Sequence, residues 1–398
     1  MLSQSAIENL IQPIVDRQES INMYVIDKIA DRLRDVKELR PADINALKKL
    51  VRSGADIRAI NAEIARQTQI QVRDIKKVIK IAAVDSYLDM KPFYDYRHKS
   101  YIPFEKNKKL QKIVRAVGNV TANTYINLSN SKATGFIMKN SKFQTIGDTY
   151  RKVIDEAIQS VVNGNVRTDV AVRRALKQLL NSGVRRMYWD SGYTQRLDTA
   201  VRRNILDGIH AVRQQIQDEA GKQFGADGKE LSAHSNSAPD HEPFQGHIFT
   251  NAEWEKLQSN QNFKDIDGNS FIAVERIIGM WNCHHIAFSI IIDAHKPRYT
   301  KKQLDTFIKE NKKGITLDNG KHLTMYECEQ TQRKMETRIR YAKEEQMAMT
   351  QLGDTEAAMN ARTKVRRLTD EYKIFSKSCG LQPKLDRAAV PDYTTSIK

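Results

Sequence analysis

Phe-Gly-Ala-Asp-Gly-Lys-Glu-Leu-Ser-Ala-His-Ser-Asn-Ser-Ala-Pro-Asp-His-Glu-Pro-Phe-Gln-Gly-His, residues 224–247, breaks a chain that otherwise reads as helix after helix. Glycine, aspartate, proline and histidine crowd into it, and such punctuation ends helical periodicity. Short apolar runs follow at Ile248-Phe249, Phe271–Val274 and Ile286–Ile292. Brief runs between Gly/Pro signals predict a small α+β unit. Asn319-Gly320, between Ile315-Thr316-Leu317 and His322-Leu323, has the form of a hairpin turn.

Upstream, Ile21, Val25, Ile29 and Leu33 recur every four residues, which is helical spacing. After Pro41 a second helix places Leu47, Leu50 and Val51 on one face, with Gly54 where a C-cap glycine belongs. A third carries Ile57, Ile60 and Ile64, and Thr68 with Gln71 has capping-box spacing ahead of Val72, Ile75, Ile79 and Ala82. From about Met90 to Gln144 the pattern weakens. Phe93, Tyr94, Tyr96, Tyr101 and Phe104 mix with Lys99, Lys106, Lys108 and Lys109, and a Thr/Asn/Ser stretch runs through Asn119, Thr121, Asn123, Asn127 and Asn130. Aromatics among basic residues can stack on single strands; a connector anchored in a core is the favoured reading here. Helices resume at Tyr150–Val161, from a Thr168 cap through Val172, Leu176 and Leu179, and from near Thr194 through Leu197, Val201, Ile205, Ile209 and Ile216.

Downstream, Thr324 and Glu327 form another capping-box pair ahead of Met335, Ile339 and Ala342. Gly353-Asp354 interrupts, and Ala361, Val365, Leu368, Tyr372 and Phe375 then alternate four and three apart up to Gly380. Two such helices with a short link read as an antiparallel hairpin. The expected fold is therefore mainly α with an embedded small α+β module. Its expected parts are an N-terminal helical region (1–90), a connector and helical region (91–222), the α+β module (223–323), a C-terminal helical hairpin (324–380) and a tail (381–398). A length of 398 residues suits two or three packed units.

Composition narrows the class. No apolar stretch approaches membrane-spanning length, and Met1–Ile14 lacks the basic and apolar regions of a signal peptide, so no membrane role and a start in a cytoplasm are expected. Three widely spaced cysteines, Cys283, Cys328 and Cys379, form no disulfide framework and read as free thiols. A net charge of +17 calls for a polyanionic neighbour, nucleic acid first and an acidic protein surface second. No basic block concentrates it.

Six of the nine histidines lie between His234 and His295, grouped as His234…Asp240-His241…Gln245-Gly246-His247 and Trp281-Asn282-Cys283-His284-His285. Three chemistries compete. His234, His241, Cys283 and His285 could be a zinc set, although Cys283-x-His285 is tighter than the usual ligand pairing. Cys283 could be a nucleophile with a histidine base oriented by Asp240, but a Cys and a His two apart on a strand share a face without meeting, and no oxyanion donor is identifiable. The default is structural: Asn282, Gln245 and the histidines each donate and accept, and Gly246 permits close backbone approach.

The run Ser232–Gly246 followed by Gly279-Met-Trp-Asn-Cys-His-His285 resembles the phage minor capsid protein 2 family, which is related to Mu F-like minor head proteins. The family's pattern is a His, then an acid-containing His-x-x-aromatic-Gln-Gly, then Gly-x-Asn-Cys-x-His. Tyr188-Trp-Asp-Ser-Gly192 and Leu197–Arg203 are similar to its lead-in. Downstream, Tyr299-Thr300 precedes Tyr326, Gln330, Gln332, Arg333, Glu336 and Arg340, which resemble its C-terminal helix. Glu242-Pro243 occupies a variable position, Thr250–Gly279 has the look of a local insertion, and spacing from Cys283 gives the family's histidine role to His285. The resemblance implies a structural, non-enzymatic head protein, assembled with portal, capsid or scaffold proteins in the host cytoplasm and retained in the virion head near the portal. It implies His234, Asp240, His241, Gln245, Gly246, Asn282, Cys283 and His285 as the module's structural cluster. Non-specific contact with packaged double-stranded DNA is compatible with the charge. The rival readings are a DNA-binding head-interior protein and a metal-dependent hydrolase.

Overall fold

The computed structural model describes residues 2–38, 43–129, 134–137, 143–163, 167–182, 186–188, 194–259, 261–264, 270–271, 278, 283 and 285–391. Its helices are α1 Gln4–Lys37, α2 Ile44–Ser53, α3 Ala55–Leu88, α4 Lys91–Tyr96, α5 Lys108–Ser129, α6 Ile146–Val162, α7 Thr168–Ser182, α8 Leu197–Phe224, α9 Asn251–Gln258, α10 Lys301–Lys313, α11 Met325–Gln351 and α12 Thr355–Ser378. The strands are β1 Thr134–Ile137, β2 Phe143–Thr145, β3 Arg186–Tyr188, β4 Thr194–Arg196, β5 Gly228–Leu231, β6 Ile248–Thr250, β7 Phe263–Lys264, β8 Ser270–Phe271, β9 Ala287–Ile290, β10 Ile315–Thr316 and β11 His322–Leu323. They pair antiparallel in the orders β2-β1-β3-β4, β6-β5-β9, β7-β8 and β10-β11. The fold is mainly α with small antiparallel sheets. Among the described residues no helix is long and apolar enough to cross a membrane.

Three helices differ from their sequence reading. The third and fourth predicted helices are one, α3. Thr68 does not cap; its hydroxyl donates to the Ile64 carbonyl one turn back, at 2.7 Å, a bond that lets a threonine sit inside a helix. The weakly patterned Asn/Thr stretch is helical, because Leu110, Val114, Val117, Ala122, Tyr125 and Leu128 are buried at three- to five-residue spacing along α5, and packing of that face overrides the poor propensity of its polar residues. On α2, Leu47 and Val51 are buried but Leu50 faces solvent; Gly54 ends the helix in the left-handed region at φ 69°.

The chain divides into two compact units. One comprises Met1–Ile11, Asp74–Asn123 and Arg203–Gln330, the other Gln12–Arg73, Thr124–Arg202 and Thr331–Lys398. In the second, residues of α1, α2, α3, α6, α7, α11 and α12 form one apolar cluster, from Ile21 through Tyr150 and Leu176 to Met349 and Ala357. Beside it the buried Arg196 guanidinium donates to Asp198 (2.8 Å), Glu19 (3.2 Å) and Glu344 (3.2 Å) and lies over the Tyr341 ring. Burial alone would lower the pKa of Arg196, but Asp198 and Glu19 hold it above its ordinary value. Arg340 donates to the other oxygen of Asp198 at 2.6 Å. The C-terminal hairpin closes through Gly353 at φ 72° and an Asp354 cap on the Ala357 N–H. Ile339, Ala342, Leu368, Tyr372 and Ala388 then share a cluster with Met335 and Val365.

Leu368 is only 4% exposed in that cluster, so Leu368→Ala should cost about 2–4 kcal/mol in urea denaturation. Ile374→Ala, at a side chain 70% exposed on the same helix, should stay within about 0.5 kcal/mol.

Candidate functional site

In the first unit, β5 is the central strand, and sequence reading passed it over because its two middle residues are charged. Both are buried and both are paired on opposite faces. Lys229 meets Asp218 of α8 and donates to Ser289 (2.8 Å). Glu230 accepts from His295 Nε2 (2.8 Å) and the Arg298 backbone N–H (2.7 Å). A buried ion is tolerable only with such partners.

Strand β9 lies at the edge of this sheet, and α8 closes that edge with side chains. His210 Nε2–H donates to the His285 carbonyl at 2.5 Å. Gln214 accepts from the Ala287 N–H (3.1 Å) and donates to the Ala287 carbonyl (3.2 Å). Gln217 accepts from the Ser289 N–H (3.1 Å). Residues four and three apart on a helix share one face, and alternate residues on a strand repeat one edge, so the two periods mesh. Partial burial pushes the His210 imidazole down to about 4, which keeps it neutral. At Gly221 any Cβ would come within 2.6 Å of Ser289 Oγ, so glycine sets the approach of α8 to β9.

The loop between β5 and β6 folds back on its own strand. Leu231 N–H donates to the His247 carbonyl and Gly246 N–H to the Leu231 carbonyl. Gly246 has φ 68°, and a Cβ there would strike the Leu304 side chain at 2.7 Å. Phe244, buried in a short 3-10 turn, anchors the loop in the cluster of Leu231, Phe249 and Leu257. The Ser232 hydroxyl oxygen accepts from the Ile286 N–H (2.9 Å), and Ser232 N–H donates to the Ile286 carbonyl. That lock sets the segment before β9 beside the loop.

This arrangement brings together His234, Asp240, His241, Gln245, Cys283 and His285. Gln245 Oε1 accepts from the His234 backbone N–H (2.7 Å) and lies 3.2 Å from His285 Nε2. Cys283 Sγ lies 3.4 Å from His241 Nδ1 and 3.4 Å from His285 Nδ1. Asp240 approaches His241 Nε2 at 3.6 Å. The His234 and His285 rings face each other at 4.6 Å between centroids. His241, Gln245 and His285 are buried and Cys283 half-buried. Burial pulls the His234 imidazole below its ordinary value. Gly246 shapes the loop rather than presenting a group. Asn282 and His284 lie outside the described residues, as do residues 189–193 of the lead-in motif and the end of the Phe271–Val274 run.

Contrary to the expectation from strand spacing, Cys283 and His285 do meet, at 3.4 Å between Sγ and Nδ1; both lie ahead of the strand, which begins only at Ala287, so the alternation of a strand does not apply to them. The objection from tight spacing falls as well, since Cys283 meets His241 of a separate segment in addition to His285. A thiol between two imidazoles can act as a hydrogen-bonded clasp, as a metal-ligand set or as a thiol–imidazole pair. His210, Gln214 and Gln217 were not singled out from the sequence; their four- and three-residue spacing is polar within an otherwise apolar-striped helix, and that was the available signal.

Gln245→Ala should cost about 1–3 kcal/mol in urea denaturation, because it strips the acceptor from the His234 N–H and a partner from His285. Gln261→Ala, at an exposed position, is the matched control.

Residues 2–376 match the family model described as Phage minor capsid protein 2. Comparison with the curated proteins and with the solved structures found no match.

Proposed function

We infer, because this chain belongs to the phage minor capsid protein 2 family, that it is a structural part of a tailed-phage head which docks to portal and capsid proteins during assembly, touches packaged DNA without sequence preference, and works by binding and not by turnover. The family match across nearly the whole chain carries the reading, since it spans both compact units and not the histidine-rich loop alone. In this reading His234, Asp240, His241, Gln245, Gly246, Asn282, Cys283 and His285 clasp the α+β module, and virion location near the portal follows from the docking.

Charge supports the DNA contact. Between Lys106 and Gly118 the chain has five basic residues and no acidic one. Lys108, Lys112 and Arg115 follow one face of α5 and are exposed. Lys76 and Lys80, also exposed, lie on α3, and Lys76 Cγ is 3.7 Å from where a Gly118 Cβ would sit, so α3 and α5 approach closely at that point in the first unit. Arrayed cations on packed helices suit a phosphate backbone.

Tagged chain recovered from infected cells should co-purify with the portal protein; recovery with no head protein at all would refute the docking. Duplex DNA should be retained at low salt, with log affinity falling linearly against log salt. Changing Lys108, Lys112 and Arg115 together to glutamine should reduce that slope by about 2–3 if each neutralises one phosphate. An unchanged slope would move the DNA contact elsewhere, and no retention at low salt would assign the basic excess to protein partners.

A further inference from the structure

We propose that the cluster beside β5 is a zinc site, with His241 Nδ1, Cys283 Sγ and His285 Nδ1 as its protein ligands and an exogenous ligand such as water in the fourth position. This goes beyond the head-protein reading and stands on the geometry of the cluster alone. One ligand atom from each of the three residues lies within 4.8 Å of the others. The two sulfur–nitrogen distances are both 3.4 Å. Bonds of about 2.3 Å to sulfur and 2.0–2.1 Å to nitrogen at a tetrahedral angle put those atoms about 3.5 Å apart.

The protons are placed for ligation as well. A backbone N–H can only donate, so the Gln245 atom that meets the His234 N–H is its carbonyl oxygen. The same oxygen meets His285 Nε2. That nitrogen must therefore carry the hydrogen, and the lone pair sits on Nδ1, the nitrogen facing Cys283. On the other side, the Asp240 carboxylate at 3.6 Å favours a proton on His241 Nε2, which leaves the lone pair of Nδ1 toward the same sulfur. Two independent outer partners, an amide oxygen and a carboxylate, thus turn both imidazoles into ligands aimed at one thiol. Outer partners of this kind fix tautomer and ring direction at metal sites.

His210 adds a third support by holding the His285 backbone carbonyl. Mixed nitrogen and sulfur donors in a tetrahedral arrangement suit zinc, which needs no redox partner. On binding, the Cys283 thiol gives up one proton to solvent and the metal takes the thiolate and two neutral imidazoles. Ligation by His241, Cys283 and His285 would then tie together two segments already held side by side by the Ser232–Ile286 and Gln245–His285 contacts.

The test uses the full-length chain. After dialysis against zinc and then zinc-free buffer, metal analysis should find about one zinc per chain. Cys283→Ala and His285→Ala should each lower that at least tenfold while keeping the helical far-ultraviolet spectrum, and Cys379→Ala should leave it unchanged. Should either site variant fail to fold, the unmodified chain decides: cobalt replacing zinc should give a sulfur-to-metal charge-transfer band in the near ultraviolet and the intense visible bands of a tetrahedral site. Chelator should lower the melting temperature of the unmodified chain. Zinc well below one per chain, cobalt lacking the sulfur band, zinc retained in a folded Cys283→Ala, or a melting temperature indifferent to chelator would each overturn the assignment.

Discussion

The outer edge of β9 is the constraint around which the first unit is arranged. An edge strand offers a row of donors and acceptors that water or another chain would otherwise take. Here α8 takes them, with His210, Gln214 and Gln217 set against residues 285, 287 and 289. Because the helix and strand periods agree over only a short distance, the match fixes the register of one element along the other to within a residue. That register places Cys283 and His285 opposite the loop carrying His241 and Gln245. Gly221, where a side chain would collide with Ser289, is what lets the helix come close enough for glutamine side chains to reach.

Buried charge in both units is handled by pairing. Arg196 and Arg340 are surrounded by Glu19, Asp198 and Glu344 in one. Lys229 meets Asp218, and Glu230 meets His295 and Arg298, in the other. These groups largely neutralise each other, and removing one partner would leave an uncompensated ion. The excess of +17 consequently falls on exposed residues such as Lys80, Lys108, Lys112 and Arg115. Interior charge in these clusters is taken up by interior partners, and surface charge is what remains for a partner.

How much of this could be read from residues follows from where each signal lives. Apolar periodicity marks α1, α6, α8, α11 and α12 because it records a buried face directly. The Asn319-Gly320 turn and the Thr324/Glu327 capping box are local chemistry, and β10-β11 and the start of α11 form as that chemistry dictates. Strand β5 was hidden because Lys229 and Glu230 look like surface residues until their partners, 11 and 65 or more positions away, are known. Helix α5 was hidden because its asparagines and threonines dilute a stripe that only packing completes. The histidine and cysteine residues announced themselves by density, but their meeting joins segments some forty residues apart, which no local residue pattern encodes. Residue types were legible; distances across the loop were not.

The second unit's apolar cluster joins Ile21–Val36 of α1 to Ala348, Met349, Leu352 and Ala357 near the α11–α12 turn. During translation those partners are separated by more than three hundred residues of intervening synthesis. At roughly 5–20 residues per second, the inner face of α1 waits on the order of tens of seconds before its last neighbours leave the ribosome. A chain built this way exposes its first-made apolar surface longest, and closing so distant a contact is slow by topology alone. That interval leaves the inner face of α1 open to other hydrophobic contacts, the condition under which partly made chains aggregate.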